Sequence, residues 1–287
     1  RRFAWRRPQP YNVQAFNLTL SMKIPPFSAC LRWLCLFSLL CISLNAAPPE
    51  KEVFVHYMPW FASKAVSGKW GWHWTMNRRN PDQIDWEARR EIASHDYPLI
   101  GPYDSGDDDA LECHALLMKC AGINGVIVDW YGTGAAHDHA ANHRCTQKLI
   151  PWVKRAGLRF AICYEDQGLK ALKEGADISQ AKADLAWLRD HWFGDDAYFK
   201  QEGRPVLLVF GPQHLDWKNV KVEWRQQPLF FGLPHLAGSA GSDGAFAWPP
   251  VHGGKAVSIG QWRADLDSTY KREGRVIATA FPGFRAN

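Results

Sequence analysis

Two acidic residues close consecutive apolar runs. Val126-Ile127-Val128 leads into Asp129-Trp130-Tyr131-Gly132, and Phe160-Ala161-Ile162-Cys163 leads into Tyr164-Glu165-Asp166-Gln167. Near-continuous runs of this kind read as strands of a parallel sheet covered on both faces. Neighbouring strands lie about 4.8 Å apart, so Asp129 and Glu165 would share one pocket. Two carboxylates in one pocket divide into acid and base when their surroundings separate their proton affinities. The same spacing also suits simpler roles, a cap on the following helix or an ion pair with an Arg.

The aromatic residues point the same way. The chain has 15 Trp, of which Trp60, Trp70, Trp72, Trp74, Trp130 and Trp248 stand at run ends or in a Gly-rich loop. A first run, Phe54-Val55-His56-Tyr57-Met58, ends in Pro59-Trp60-Phe61, and Trp72-His73-Trp74 follows in the loop. Flat side chains with a polar handle, set among carboxylates, suit a ligand with apolar ring faces and many hydroxyls, which is a sugar. The candidate catalytic pair is Asp129 and Glu165. The candidate substrate contacts are His56, Tyr57, Trp60, His73, Trp74, Tyr103, Asp104, Trp130, Tyr131, Asp166, Gln167 and Trp248.

Other chemistries find little support. His137, His139 and His143 lack the Glu of a His-Glu-x-x-His helix, and no Cys pair has zinc spacing, so a solvated loop is expected there and no metal. The glycines at 238, 241 and 244 precede a strand instead of joining one to a helix, so no dinucleotide cofactor is expected. Cys113, Cys120, Cys145 and Cys163 read as small buried apolar residues.

The elements that must position these groups are strands at 53–58, 125–130, 159–164, 205–210, 229–233, 244–248 and 275–280. Helices are expected from Asp107, at 140–156 with a kink at Pro151, at 179–192 and at 259–273. The long loop from Pro59 to Gly106 is expected to hold a short helix at Ile84–Ala93. The 234–243 connection is short for a parallel crossover. Strands alternating with helices give an α/β chain.

The first 47 residues stand apart. They hold six Arg or Lys and no acid, and a short apolar stretch from Trp33 to Ile42 precedes Asn45-Ala46-Ala47. Residues 22–47 read as a signal peptide and 1–21 as upstream read-through. Residues 48–287 then form the folded domain, secreted or periplasmic and free of the membrane after cleavage. Setting the leader cations aside leaves 28 basic against 29 acidic residues, so the net charge of +5 gives no argument for nucleic acid. The sequence carries no signal of oligomeric state.

The run Tyr97-Pro-Leu-Ile-Gly-Pro-Tyr-Asp-Ser-Gly-Asp107 with Gly125-Val-Ile-Val-Asp-Trp-Tyr-Gly132 resembles the bacterial glycoside hydrolase family 71/99-like proteins, relatives of the family 99 endo-α-mannosidases. The likeness continues in Phe160–Gln167, Gly203–Phe210, Asp243–Trp248 and Ala278–Phe284. It implies a (β/α)8 TIM-type barrel and a carbohydrate substrate, an α-mannoside or α-glucan. It also implies that Glu165 contacts substrate. The family's Asn-Glu-Trp-His-Glu catalytic segment has no counterpart before Asn287. The expectation is therefore a C-terminally truncated barrel lacking its last strand and helix, inactive as it stands. The alternative is a non-catalytic carbohydrate-binding protein with the same aromatic cleft.

Overall fold

The computed structural model describes residues 51–173, 175–220, 227–249, 251–252 and 255–280. The leader and the last residues of the chain, 281–287, lie outside the described residues, as does part of the 278–284 likeness. No described helix is long and apolar enough to cross a membrane.

Strand β1 (Phe54–Tyr57) is followed by two one-turn helices, α1 (Lys64–Ser67) and α2 (Trp72–Thr75), and then by α3 (Asp108–Cys120). Asp107 caps α3 by accepting from the Asp109 N–H at 3.0 Å. Next come β2 (Gly125–Trp130), α4 (His139–Arg155), β3 (Arg159–Tyr164), a 3-10 turn (Asp166–Ala171) and α5 (Ala176–His191). After β4 (Lys200–Gln201) and β5 (Arg204–Val209) follow α6 (Trp217–Val220), β6 (Leu229–Gly232), α7 (Ala237–Ala240) and β7 (Gly244–Phe246). The ribbon β8 (Val251–His252) with β9 (Lys255–Ala256), then α8 (Ile259–Glu273) and β10 (Val276–Ile277), end the described chain.

The main sheet runs β1-β2-β3-β5-β6-β7-β10, every pair parallel, with β4 antiparallel on β5. Spatial order equals chain order, the one-directional winding of a barrel, not the reversal of a doubly wound sheet. The architecture is a partial (β/α) barrel.

Several expectations shift. The predicted helix at Ile84–Ala93 is instead a tight turn, with Ile84 bridged antiparallel to Arg90. The Asp85 carboxylate accepts from the Glu87 and Arg89 N–H groups, and such local bonds compete with a helix. Helix α4 continues through Pro151, which lies on its exposed side. The short 234–243 link succeeds because α7 is one turn of small residues, with Ala237 and Ala240 buried close against the sheet. Strands β7 and β10 are shorter than expected, which leaves Trp248 beyond its strand. Of the four cysteines only Cys163 is buried, and Cys120 is exposed.

Alternation along the strands sorts side chains into two layers. Val126, Val128, Trp130, Phe160, Ile162 and Tyr164 pack outward with Leu149, Val153, Leu185 and Leu188 of the helices. Ile127, Ala161, Cys163, Val206, Leu208, Phe231 and Phe246 fill the barrel interior.

Candidate active site

The same alternation decides which strand-end residues face the interior. Asp129 shares the side of Ile127, and Glu165 shares the side of Ala161 and Cys163, so both point inward. In the β2–β3 register Asp129 sits opposite Cys163, and the Glu165 N–H donates to the Trp130 carbonyl at 3.0 Å. The two carboxylates thus stand on neighbouring strands as expected, with Glu165 one pleat beyond Asp129 in a diagonal relation.

Neither carboxylate makes a hydrogen bond or ion pair with another described side chain. Asp129 is buried at 4% exposure. Burial, and then the charge of Glu165, hold its carboxyl well above the usual range. Glu165 is half-buried. Burial and then the neighbouring Asp166 push it up to about 7. Glu165 thus titrates near neutrality, and Asp129 is displaced in the same direction, chiefly by its burial. One group can donate to a ligand oxygen while the other accepts, the division of labour that acid–base chemistry needs.

The rim is aromatic. Trp60 stacks on His73 with centroids 4.1 Å apart and lies 6.2 Å from Tyr131. His73 Nε2 meets the Asp138 carboxylate at 3.3 Å. The phenol of Tyr131 is raised by burial and then by Asp129, Glu165 and Asp138, so it stands beside the acidic pair as a neutral donor. On the β1 side, Trp248 meets His56 and Phe210 edge-on at 4.8 Å each. Burial pushes His56 down to about 4, which leaves its imidazole neutral. Gln167 is exposed in the 3-10 turn. His56, Trp60, Asp129, Tyr131, Glu165 and Trp248 thus stand at or just beyond the C-terminal strand ends, where barrel chemistry gathers, with His73 of α2 stacked on Trp60.

Other candidates are placed elsewhere, and the same physics explains why. Asp166 alternates outward from Glu165 and is fully buried. It accepts from the N–H groups of Gln213, His214 and Leu215 and from Trp217 Nε1. Asp104 is also buried and accepts from Ser63 N, Ser67 Oγ and Gly106 N at 2.7–2.8 Å. It ties the ends of the long loop together. Trp74 is sealed at 1% exposure and donates to the Tyr103 carbonyl at 2.9 Å. Tyr103 packs in the same loop layer, edge-on to Trp74 and His114. Tyr57 faces outward and shares a 2.9 Å hydrogen bond with His114 Nδ1. Trp130 is wholly buried among the helices and donates to His143 Nδ1 at 3.1 Å. In these placements the side chains serve as anchors and packing within the fold.

His137 is exposed in a turn as expected, but the other two histidines differ from a solvated loop. His139 is buried against Tyr131, and His143 packs among Trp130, Trp187 and Trp192. Among the described residues no group of three or more His, Cys, Asp or Glu side chains is arranged to hold a metal ion. Sequence reasoning passed over Asp184. It is fully buried and accepts from Thr133 N, Thr133 Oγ1, Tyr164 Oη and Gln180 Nε2 at 2.7–3.0 Å. Its signal was present: a carboxylate on the helical stripe Ala181, Leu185 and Leu188. It fixes the turn that carries Tyr131. Phe210 and Asp138 were also missed.

No family model matches the chain. A glycoprotein endo-α-1,2-mannosidase-like protein of Danio rerio is 26% identical over 186 residues, 58% of this chain and 39% of that protein. The rat glycoprotein endo-α-1,2-mannosidase is 28% identical over 127 residues, 39% of this chain and 26% of that enzyme. The chain is similar to family 99 endo-α-mannosidases over part of their length. In structure it superposes on the family 99 endo-α-mannosidase of Bacteroides thetaiotaomicron with a TM-score of 0.60 at 18% identity. That likeness covers 81% of this chain and 70% of the other, and it concerns the fold. The chain spans less than two-fifths of the length of the curated relatives it matches.

Proposed function

We propose that this chain forms the sugar cleft of a glycoside hydrolase-like protein acting on α-linked oligosaccharides, an α-mannoside in preference to an α-glucan. The observation that carries the reading is the inward pair of Asp129 and Glu165, unpartnered among the described residues beneath an aromatic rim. The names of the similar proteins, glycoprotein endo-α-1,2-mannosidase and its like, support the α-mannoside class. In this reading Glu165 bonds a sugar hydroxyl, Asp129 carries a proton beside it, and Trp60, Tyr131 and Trp248 meet the apolar sugar faces. The protein acts outside the cytoplasm, exported by residues 22–47, and the N-terminal mass of the mature protein tests that step.

Calorimetric titration of the full chain with α-1,2-linked manno-oligosaccharides and with α-gluco-oligosaccharides tests the cleft. Binding is expected for the former, and Glu165→Gln at pH 8 is expected to weaken it about tenfold, the worth of a charge-assisted hydrogen bond. Hydrolysis of the bound sugar would support the enzyme, and tight binding without turnover would support the carbohydrate-binding alternative. No binding of either series would refute the reading.

A further inference from the structure

Asp166 follows Glu165 directly but turns to the opposite side of the strand. Its two oxygens receive four N–H groups, from Gln213 at 2.9 Å, His214 at 3.2 Å, Leu215 at 3.0 Å and Trp217 Nε1 at 3.1 Å. Three successive backbone N–H groups around one anion form a nest. Through it the loop after β5 is held to the end of β3, across 47 to 51 positions of sequence. None of the four donors is a cation. An Arg or Lys would cancel the charge, whereas neutral donors stabilise it and leave it standing.

We propose that Asp166 is a positioning residue, a sealed carboxylate that latches the β5–α6 loop onto β3 and keeps an uncancelled negative charge directly behind Glu165. The consequence is that Glu165 holds its proton to a higher pH than burial alone would give. Burial is the larger cause of its raised affinity, and Asp166 is the charge that adds to it. The other groups around Glu165 are known. Asp129 of β2 and Tyr131 after it lie on one side, and Cys163 of β3 lies beneath. On the loop side His214 Nε2 meets Asp177 at 2.9 Å, so that cation-forming ring faces its own carboxylate. Asp184 offers an internal control. It is equally buried and also takes four neutral donors, from Thr133, Tyr164 and Gln180, yet it is not among the charges that act on Glu165.

The proposal rests on Glu165 being the group that meets the ligand, but its test needs no ligand, so the two can fail separately. The side-chain carboxyl of Glu165 is followed by carbon-13 NMR against pH in the full chain, in Asp166→Asn and in Asp184→Asn. The midpoint near 7 is expected to fall by roughly one pH unit in Asp166→Asn, the effect of removing a like charge. It is expected to stay in place in Asp184→Asn. Asp166→Glu, which keeps the charge, restores the higher midpoint. Should Asp166→Asn not fold, Trp217→Phe withdraws one donor from the same charge, and the midpoint moves upward. An unmoved midpoint in whichever variant folds, or an equal fall in Asp184→Asn, would overturn the proposal and leave Asp166 as a latch alone.

Discussion

Replacing Glu165 by Gln is expected to make the protein more stable at alkaline pH, and the structure sets the size of the effect. A free Glu titrates near 4.5, and Glu165 is pushed up to about 7 by burial and Asp166. The folded chain therefore binds this proton more tightly than the unfolded one. The stabilisation is complete below about pH 4.5 and is lost as pH rises through about 7. Each pH unit is worth about 1.4 kcal/mol, so the whole window is worth about 3 kcal/mol. Water reaches part of this half-buried side chain, which reduces the realised figure to about 2 kcal/mol. Gln is neutral throughout and loses nothing across the window. For a domain of this size about 2 kcal/mol corresponds to roughly 4–8 °C in Tm. Thermal melts of both proteins from pH 4.5 to 8.5 should thus start together and diverge, the variant melting higher at pH 8. Parallel curves, or a variant that melts lower at pH 8, would show that Glu165 is held by partners and refute the argument.

The network behind Tyr131 gives two further predictions. Tyr164→Phe removes the 2.7 Å bond to Asp184 and leaves a buried carboxylate short of one donor. A loss of about 1.5–3 kcal/mol is expected from urea denaturation, and a loss below about 0.5 kcal/mol would mean water takes the donor's place. Gly132 has φ 88°, and a Cβ there would overlap the Asp184 carboxylate. Gly132→Ala is therefore expected to cost more than about 2 kcal/mol, with the Tyr131 ring resonances shifted in the NMR spectrum.

The strands were legible because two covered faces leave a strand no polar side, and the apolar run announces itself. That same property hides the orientation of each residue. All six residues of Gly125–Trp130 are buried, so no alternation of polar and apolar types says whether Asp129 or Trp130 faces the interior. The candidate contacts consequently mixed inward groups, such as His56 and Tyr131, with outward ones, such as Tyr57 and Trp130. The long first loop was illegible for a different reason. Its order comes from bonds between positions far apart in sequence, Trp74 to Tyr103 and Ser63 to Asp104, which no local window can register.

Four carboxylates end up buried or half-buried around two strand ends, and the chain treats them in two ways. Asp166 and Asp184, turned toward the helices, each receive four N–H or O–H donors. Asp129 and Glu165, turned inward, receive none from described side chains. A buried charge without donors is costly, and the same fold supplies donors one residue away, so geometry alone does not force the omission. Withheld donors are what a ligand with many hydroxyls would replace. On this argument the contrast between satisfied outer carboxylates and unsatisfied inner ones locates the cleft more sharply than the aromatic rim does, since Trp74 and Trp130 show that aromatics here also serve as packing.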